Sequence, residues 1–373
     1  MRGPISIPKS LFPSLINLVN RTFRSDGIGR MEEEYAFLFD KNNRKNILVF
    51  EDQRRIAAVV SYLCEDVWIE KTRFKMALVG GVATDEQYRG QGLATRLMER
   101  AFQNCLKQSI DLMYISGTRN LYQRLGCTVC GKFYTAILKK EKTWNPRPEL
   151  GIRPYHEKDF SKYLPIIETE STRIHHAPER FKQLLRKNHF EKSQQKSFTI
   201  IRKNQVAGYL VVGLSENKNE IREYAGDRKA LVGVLPLLLE TPDCSEVKIF
   251  ISGTDRNLLN SLENKGIPFT LGPLPKGTVK VIHFGRFFKK LKPLLIKKEI
   301  RGLSLSQRQN RILLKYRDEN FQKELGEGTW LTRIIFGTPE GNEWKSLPDE
   351  GLLVEAVKKI FPLSFPEYGI YYT

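Results

Sequence analysis

Cysteine is scarce in this chain of 373 residues. Cys64, Cys105, Cys127, Cys130 and Cys244 are odd in number and follow no framework spacing, which excludes a disulfide-stapled fold and makes reduced thiols the expectation. Cys127 and Cys130 form one C-x-x-C, but no second pair or nearby histidine completes a zinc site. Histidine is as sparse. None of His156, His175, His176, His189 and His283 stands in an H-E-x-x-H or other ligand spacing. The adjacent His175 and His176 would point about 100° apart on a helix, so no metal is expected. Long hydrophobic runs are missing too: a spanning helix needs roughly 18 apolar residues, and the longest run, 231–239, is interrupted by Pro236. Pro4, Pro8 and Pro13 break the stretch that could imitate a signal peptide, and no small-residue cleavage site follows. A cytoplasmic protein is expected. The absence of low-complexity tracts and short-period repeats argues against a solenoid, and 40% apolar with 10% aromatic residues excludes disorder for the bulk of the chain.

Positive charge is abundant: 61 Lys and Arg against 42 Asp and Glu leave a formal net charge of +19. At roughly 100–200 residues per domain, the length predicts two or three domains. Punctuation divides the chain into 1–145, 146–275 and 276–373. Lys139, Lys140, Glu141 and Lys142 lead into the Pro-rich stretch 144–148, and Gly272-Pro273-Leu274-Pro275 closes the second segment.

Residues 46–50 and 56–63 read as strands around a turn at Glu51-Asp52-Gln53, and 75–83 as a third. The period then changes. Leu93, Leu97, Ala101 and Cys105 recur every four residues with Met98, Phe102 and Leu106 beside them, while Arg96, Glu99, Arg100, Gln103, Asn104 and Lys107 take the other face. With a further strand at 112–115, strand, amphipathic helix and strand form one βαβ unit, so the fold class is α/β (α+β).

Between that strand and helix stands Gln87-Tyr88-Arg89-Gly90-Gln91-Gly92-Leu93-Ala94. Glycines let a backbone approach a ligand closely, and the free N–H groups at a helix start carry the positive end of its dipole, so a diphosphate suits the position. The G-x-x-x-x-G-K-[ST] of a nucleotide triphosphate loop is not there, nor is the third glycine of a dinucleotide fingerprint. The pattern Gln87-x-x-Gly90-x-Gly92 resembles the acetyl-CoA diphosphate loop of the GNAT N-acetyltransferases. Asn120-Leu121-Tyr122-Gln123-Arg124-Leu125-Gly126-Cys127 is similar to the F-Y-x-x-x-G-F stretch of that family, departing from it at Cys127, where an aromatic residue is usual.

That resemblance implies acetyl-CoA as co-substrate. Val82, Ala83 and Thr84 would contact its pantetheine and acetyl carbonyl; Arg89, Gly90, Gln91, Gly92, Leu93, Ala94 and Thr95 its diphosphate. Gly117 and Thr118 would flank the acetyl end. It also implies Tyr122 as general acid for the departing thiolate, a role that a phenol with an ordinary pKa near 10 can fill. Asp26 and Glu33, the latter within Glu32-Glu33-Glu34, lie where the family often places acceptor-binding residues. The acceptor would be a primary amine of a small molecule such as an aminoglycoside or polyamine, or a protein lysine.

The three-segment plan further resembles the enhanced-intracellular-survival acetyltransferases: a catalytic GNAT domain, a GNAT-like domain, and a sterol-carrier-protein-like domain. Glu223-Tyr224-Ala225-Gly226-Asp227 before an apolar helix is similar to the central domain, and no Q-x-x-G-x-G accompanies it, so no acetyl-CoA binding is expected there. Val279-Lys280-Val281-Ile282, the stretch 287–295 and Trp330-Leu331-Thr332-Arg333-Ile334-Ile335-Phe336-Gly337 resemble the third. The resemblance implies a homo-oligomer and a catalytic base in the terminal carboxylate of Thr373, reached through an aromatic tail.

Two rivals follow from charge. A nucleic-acid partner finds no zinc finger, basic zipper or RNP-type sequence and is not expected. Residues 276–301 hold nine cations against Glu299 alone, threaded by the apolar stripe Phe287, Phe288, Leu291, Leu294 and Leu295, which Pro293 should kink; an anionic membrane surface or lipid is the alternative partner.

Overall fold

The computed structural model describes residues 1–140, 148–175, 177–190, 193–215, 217–240, 244–274, 277–326, 328–366 and 369. His176, Thr373 and the linker residues 141–147 lie outside them. The fold is mixed α/β, with two compact units. The first holds Met1–Gly131 and Pro273–Leu363; the second holds Lys132–Gly272 with 364–366 and Gly369.

In the first unit β1 (Arg2–Ser6), β2 (Ile47–Asp52), β3 (Arg55–Ile69), β4 (Thr72–Thr84), β5 (Leu112–Ser116) and the strand Gly277–Val281 lie side by side in that order. Both hairpins are tight: Gln53-Arg54 joins β2 to β3, with φ of +46° and +64°, and Glu70-Lys71 joins β3 to β4, with +49° and +63°. Positive φ at both central residues is the turn whose twist matches paired strands. The first turn therefore sits one to two residues beyond Glu51-Asp52-Gln53, and β2 runs on to Asp52.

Helix α1 (Phe12–Phe23) forms although three prolines fall within the first thirteen residues. Pro13 stands in its first turn, where a missing N–H costs nothing, and Phe12, Leu15, Leu18 and Val19 are buried at helical spacing. The short α2 (Met31–Glu34) follows, then α3 (Leu93–Lys107) and α4 (Asn120–Arg124). α3 buries Leu93, Leu97, Met98, Ala101 and Cys105 against Val79, Met113 and Ile115 of the sheet, the face its period predicts. Leu93, Leu97 and Met98 each contribute about 1.5–3 kcal/mol on burial.

Residues from the C-terminal third complete this unit. A three-stranded antiparallel sheet, Ser304–Arg308, Arg311–Tyr316 and Glu319–Glu324, accompanies four helices. The stretch 287–295 forms two of these, Phe284–Lys290 and Lys292–Lys297; Pro293 opens the second. The stripe is core: Phe287, Phe288, Leu291, Leu294 and Leu295 are at most 6% exposed, and Phe287 stacks on Phe74 at 4.5 Å.

The second unit has its own mixed sheet. Its strands include β6 (Phe133–Lys139), paired antiparallel with Cys244–Ser252 and Phe269–Gly272. Strands Leu150–Pro154, Ser193–Arg202, Gln205–Ser215 and Asn217–Gly226 extend it. Helix Arg228–Leu239 is buried on most sides, which explains its nearly continuous apolar sequence.

Candidate acyltransferase site

The site begins with a register break in β4. Its ladder to β3 shifts between Val59 and Ser61, opposite Gly81, whose φ is +63°. A Cβ at Gly81 would stand 2.8 Å from Cζ of Phe39 and 2.9 Å from Oγ of Ser61, so the position takes glycine for both space and backbone. Beyond this bulge β4 leaves β5: the parallel ladder ends at Val79↔Ile115 while β4 continues to Thr84 against β3. Among the described residues, the edge of Val82–Thr84 that would face β5 has no strand partner, and so offers backbone groups to an extended amide ligand.

The loop after β4 is anchored from several directions. Asp85 accepts from Gln87 N at 3.2 Å and pairs with Arg21 of α1 at 2.6 Å. The Tyr88 hydroxyl donates to Asp52 Oδ2 at 2.9 Å, and the N-terminal amine stands 3.0 Å from the same carboxylate. These two donors hold the Asp52 carboxyl below its usual range. Gly90 and Gly92 have φ of +80° and +70°, and a Cβ at either would meet only open space. They are there for conformation and ligand approach, not for packing. Gly92 caps α3 without a side-chain acceptor, and the first turn holds no acidic residue. Its leading N–H groups are therefore left for an anion, with the helix dipole behind them.

A cleft of about 330 Å³ lies between strand and helix. It gathers Val82, Ala83, Thr84, Arg89 and Ala94, five of the residues expected from sequence. Gly90, Gln91, Gly92, Leu93 and Thr95 complete the adjoining loop and first helical turn, Leu93 buried and Gly90, Gln91 and Gly92 exposed. Two lining residues were missed, Thr22 near the end of α1 and Arg119 at the cap of α4. The helical spacing of α1 could have revealed the first; the second has no local signature beyond its position after β5.

Gly117 and Thr118 follow β5, Tyr122 lies in α4, and none of the three lines this cleft. The Gly117 carbonyl accepts from Oγ1 of Thr278 at 3.1 Å, and its Cβ position lies 3.2 Å from the Tyr122 ring. Thr118 is exposed, its carbonyl accepting from Gln123 at 3.4 Å. Tyr122, 3% exposed, packs in one apolar cluster with Val82, Leu93 and Cys127. Cys127 fills the place of the usual aromatic residue as a packed thiol, and burial pushes it up to about 12. Burial also raises the Tyr122 phenol, with Arg119 opposing. Its hydroxyl has no hydrogen-bond partner among the described residues.

Residues 5–130 match the family model of the acetyltransferase (GNAT) domain. This is a GNAT domain. A GNAT fold supports acyl transfer, and GNAT enzymes act on amine acceptors. Three solved structures share the fold over most of the chain. A GCN5-related N-acetyltransferase from Anabaena variabilis is 15% identical, with a TM-score of 0.71 and 97% of each chain covered. Another from Kribbella flavida is 14% identical, with a TM-score of 0.67 and the same coverage. Eis1 from Mycobacterium abscessus is 9% identical, with a TM-score of 0.55, covering 86% of this chain and 89% of that one. At such identities the likeness is one of fold. No curated protein matches the chain.

A second groove of the GNAT domain, about 1020 Å³, runs along α1 and is lined by Asn20, Arg21, Arg24, Arg30 and Glu32 among others. Asp26 and Glu33 do not line it. Asp26 caps a turn through Ile28 N at 3.1 Å, and the Glu33 side chain is 71% exposed, 3.9 Å from Arg30. Glu34 is turned inward against Arg24 in a nearly buried ion pair. Glu32, which accepts from Asn20 at 2.8 Å, is the member of the acidic run that faces the groove.

The second unit repeats the strand-to-helix turn with different chemistry. At the start of Arg228–Leu239, Oδ1 of Asp227 accepts from Lys229 N at 2.8 Å and Ala230 N at 2.9 Å. The donors that α3 leaves open are here taken by the chain's own carboxylate. No group of three or more metal-ligating side chains occurs among the described residues, and no described helix is long and apolar enough to cross a membrane.

Proposed function

We propose that the GNAT domain transfers an acetyl group from acetyl-CoA directly to a primary amine. The observation that carries this reading is the uncapped start of α3 behind Gly90 and Gly92, set beside the strand-free edge of Val82–Thr84. The diphosphate of acetyl-CoA would take the N–H groups of Gly90 to Thr95 and the Arg89 guanidinium, its pantetheine would extend along Val82–Thr84, and backbone donors there would polarise the thioester carbonyl. Gly117 and Thr118 would border the acetyl end. The amine nitrogen attacks that carbonyl; the C–S bond then breaks and the thiolate takes its proton from Tyr122. Arg119 supplies a further cation at the cleft.

The acceptor's ammonium is assigned to the acidic stretch containing Asp26 and Glu33, with Glu32 facing the groove. Small amines and protein lysines are both candidates. Thr373 is proposed as the base: its carboxylate, ordinarily near 3.5, takes the amine proton only if burial or a water relay raises its basicity. The second unit, its helix start occupied by Asp227, is proposed to bind no acetyl-CoA, and the segment 276–373 to be the sterol-carrier-like domain of a cytoplasmic homo-oligomer.

Calorimetry with acetyl-CoA, followed by thiol release across an amine panel, tests the reading. Micromolar binding that Gly92→Val abolishes supports it, and absence of binding overturns it. Extending the C-terminus by several residues tests Thr373: full activity in the extended, folded protein removes it as base.

A further inference from the structure

A cavity of about 1080 Å³ in the second unit takes no part in the reaction proposed above. It opens where the helices Arg228–Leu239 and Arg256–Glu263 begin. Nε of Arg228 donates to Oδ2 of Asp255 at 2.7 Å, which ties the two helix starts together. Lys229 and Arg256, the next residue on either side of that bridge, are exposed, line the cavity and pair with no acidic side chain among the described residues. Both stand in a first helical turn, where the helix dipole disfavours positive charge, so helix stability gives no reason for them.

The carboxylates of the cavity are already engaged. Glu170 accepts from both terminal nitrogens of Arg228, Asp227 from Arg202 at 2.7 Å, and Glu223 from the buried Tyr209 hydroxyl at 2.8 Å. Beyond Arg256 the helix lines the cavity with Asn257, Asn260, Ser261 and Asn264, one face at i, i+3, i+4, i+7 spacing. That face is neutral in a chain that is 28% charged, and the three asparagine side chains make no hydrogen bond among the described residues. Amides both donate and accept, as a sugar hydroxyl requires of its partners. The face spans about 10 Å, the length of two linked sugar rings. The volume, slightly above the range of about 300–1,000 Å³ usual for small-molecule sites, leaves room for both rings. A nucleobase finds no aromatic platform: Arg228 lies over the Tyr224 ring at 5.2 Å, and Tyr209 and Phe365 are 2% exposed.

We propose that this cavity binds a phosphorylated disaccharide, its phosphate paired with Lys229 and Arg256 and its hydroxyls hydrogen-bonded along Asn257, Asn260, Ser261 and Asn264. The inference does not depend on the acetyltransferase reading. Calorimetric titration of the full chain with trehalose 6-phosphate and with sucrose 6-phosphate tests it.

At least one of the two should bind, one molecule per chain, at least tenfold more tightly than its unphosphorylated sugar or inorganic phosphate, and more weakly as salt is raised. Lys229→Glu combined with Arg256→Glu should weaken binding at least tenfold. Acidic residues suit a first helical turn, so the melting temperature of that variant should not fall. Asn260→Leu, a better helix former at an exposed position, should weaken binding at least fivefold with the salt dependence kept. Saturating acetyl-CoA should leave binding unchanged. Absence of binding by both esters, binding indifferent to both sets of substitutions, or inorganic phosphate binding as tightly as the ester would each overturn the proposal. Displacement by acetyl-CoA or by an aminoglycoside would overturn it too, by assigning the cavity to a substrate of the transferase.

Discussion

Asp111 and Arg286 lie 175 residues apart in sequence and meet in the first unit, Nε of Arg286 donating to Oδ1 of Asp111 at 3.2 Å. Lys290 adds a second cation at 2.6 Å, and the backbone N–H of Lys75 a third donor at 2.8 Å. Removing the carboxylate strands two partly buried cations. Asp111→Ala should therefore cost about 3–5 kcal/mol, the usual loss for a broken buried pair, and Asp111→Asn less. Urea midpoints at constant m-value measure both, and a loss below 1 kcal/mol for Asp111→Ala would contradict the assignment.

Gly92 has a φ of +70° with empty space about it. Gly92→Ala should destabilise by roughly 1–2 kcal/mol through backbone strain alone. Its effect on ligand is separate, since the new Cβ occupies the approach to the α3 donors. Acetyl-CoA affinity should fall at least tenfold in calorimetry, while Leu97→Ala on the buried face should lower stability by about 2–5 kcal/mol with affinity retained.

Because the Tyr122 hydroxyl has no described partner, Tyr122→Phe should leave stability nearly unchanged. As proposed general acid, its loss should lower kcat by about a hundredfold or more, with the KM for acetyl-CoA little altered. Burial raises the phenol above its ordinary value near 10. The acid form thus persists past pH 10, and no alkaline fall in kcat below that pH is assigned to it. A pH–rate profile of the wild type and Tyr122→Phe checks this.

The same burial acts on Tyr62, Tyr163 and Tyr209, all raised by desolvation. A phenol that holds its proton more tightly when folded costs no stability below pH 10. Above that pH the unfolded chain ionises first, so stability falls as pH rises toward the folded values. Absorbance at 295 nm should show these tyrosines ionising together with unfolding, not before it.

Asp227→Ala removes two cap hydrogen bonds and should cost about 0.5–2 kcal/mol. It should not create acetyl-CoA binding in the second unit, because the paired glycines of the first loop have no counterpart there. Calorimetry on the double substitution with Gly92→Val separates the two helices.

Much of the candidate site was legible locally. Gly90 and Gly92 announce left-handed backbone because few other residues adopt it at low cost, and the four-residue recurrence from Leu93 to Cys105 shows a face that must be buried. Thr22 and Arg119 were not legible, since each reaches the cleft from an element brought in by packing. Glu33 and Glu34 look alike in sequence, yet one is in solvent and the other against Arg24.

The sequence by itself determined the mixed α/β class, the loop and helix chemistry of 87–95, and the reduced, sparse cysteines. These rest on interactions within a few residues. Only the tertiary structure decided that 133–139 joins the second sheet, that 277–281 extends the first beside β5, and which cations are spent on Asp111. A strand's alternation states which faces are apolar but not which edge it will pair with, and a lysine's charge does not name its partner. Both are settled by contacts between residues distant in the chain, where burial makes one pairing far cheaper than the others.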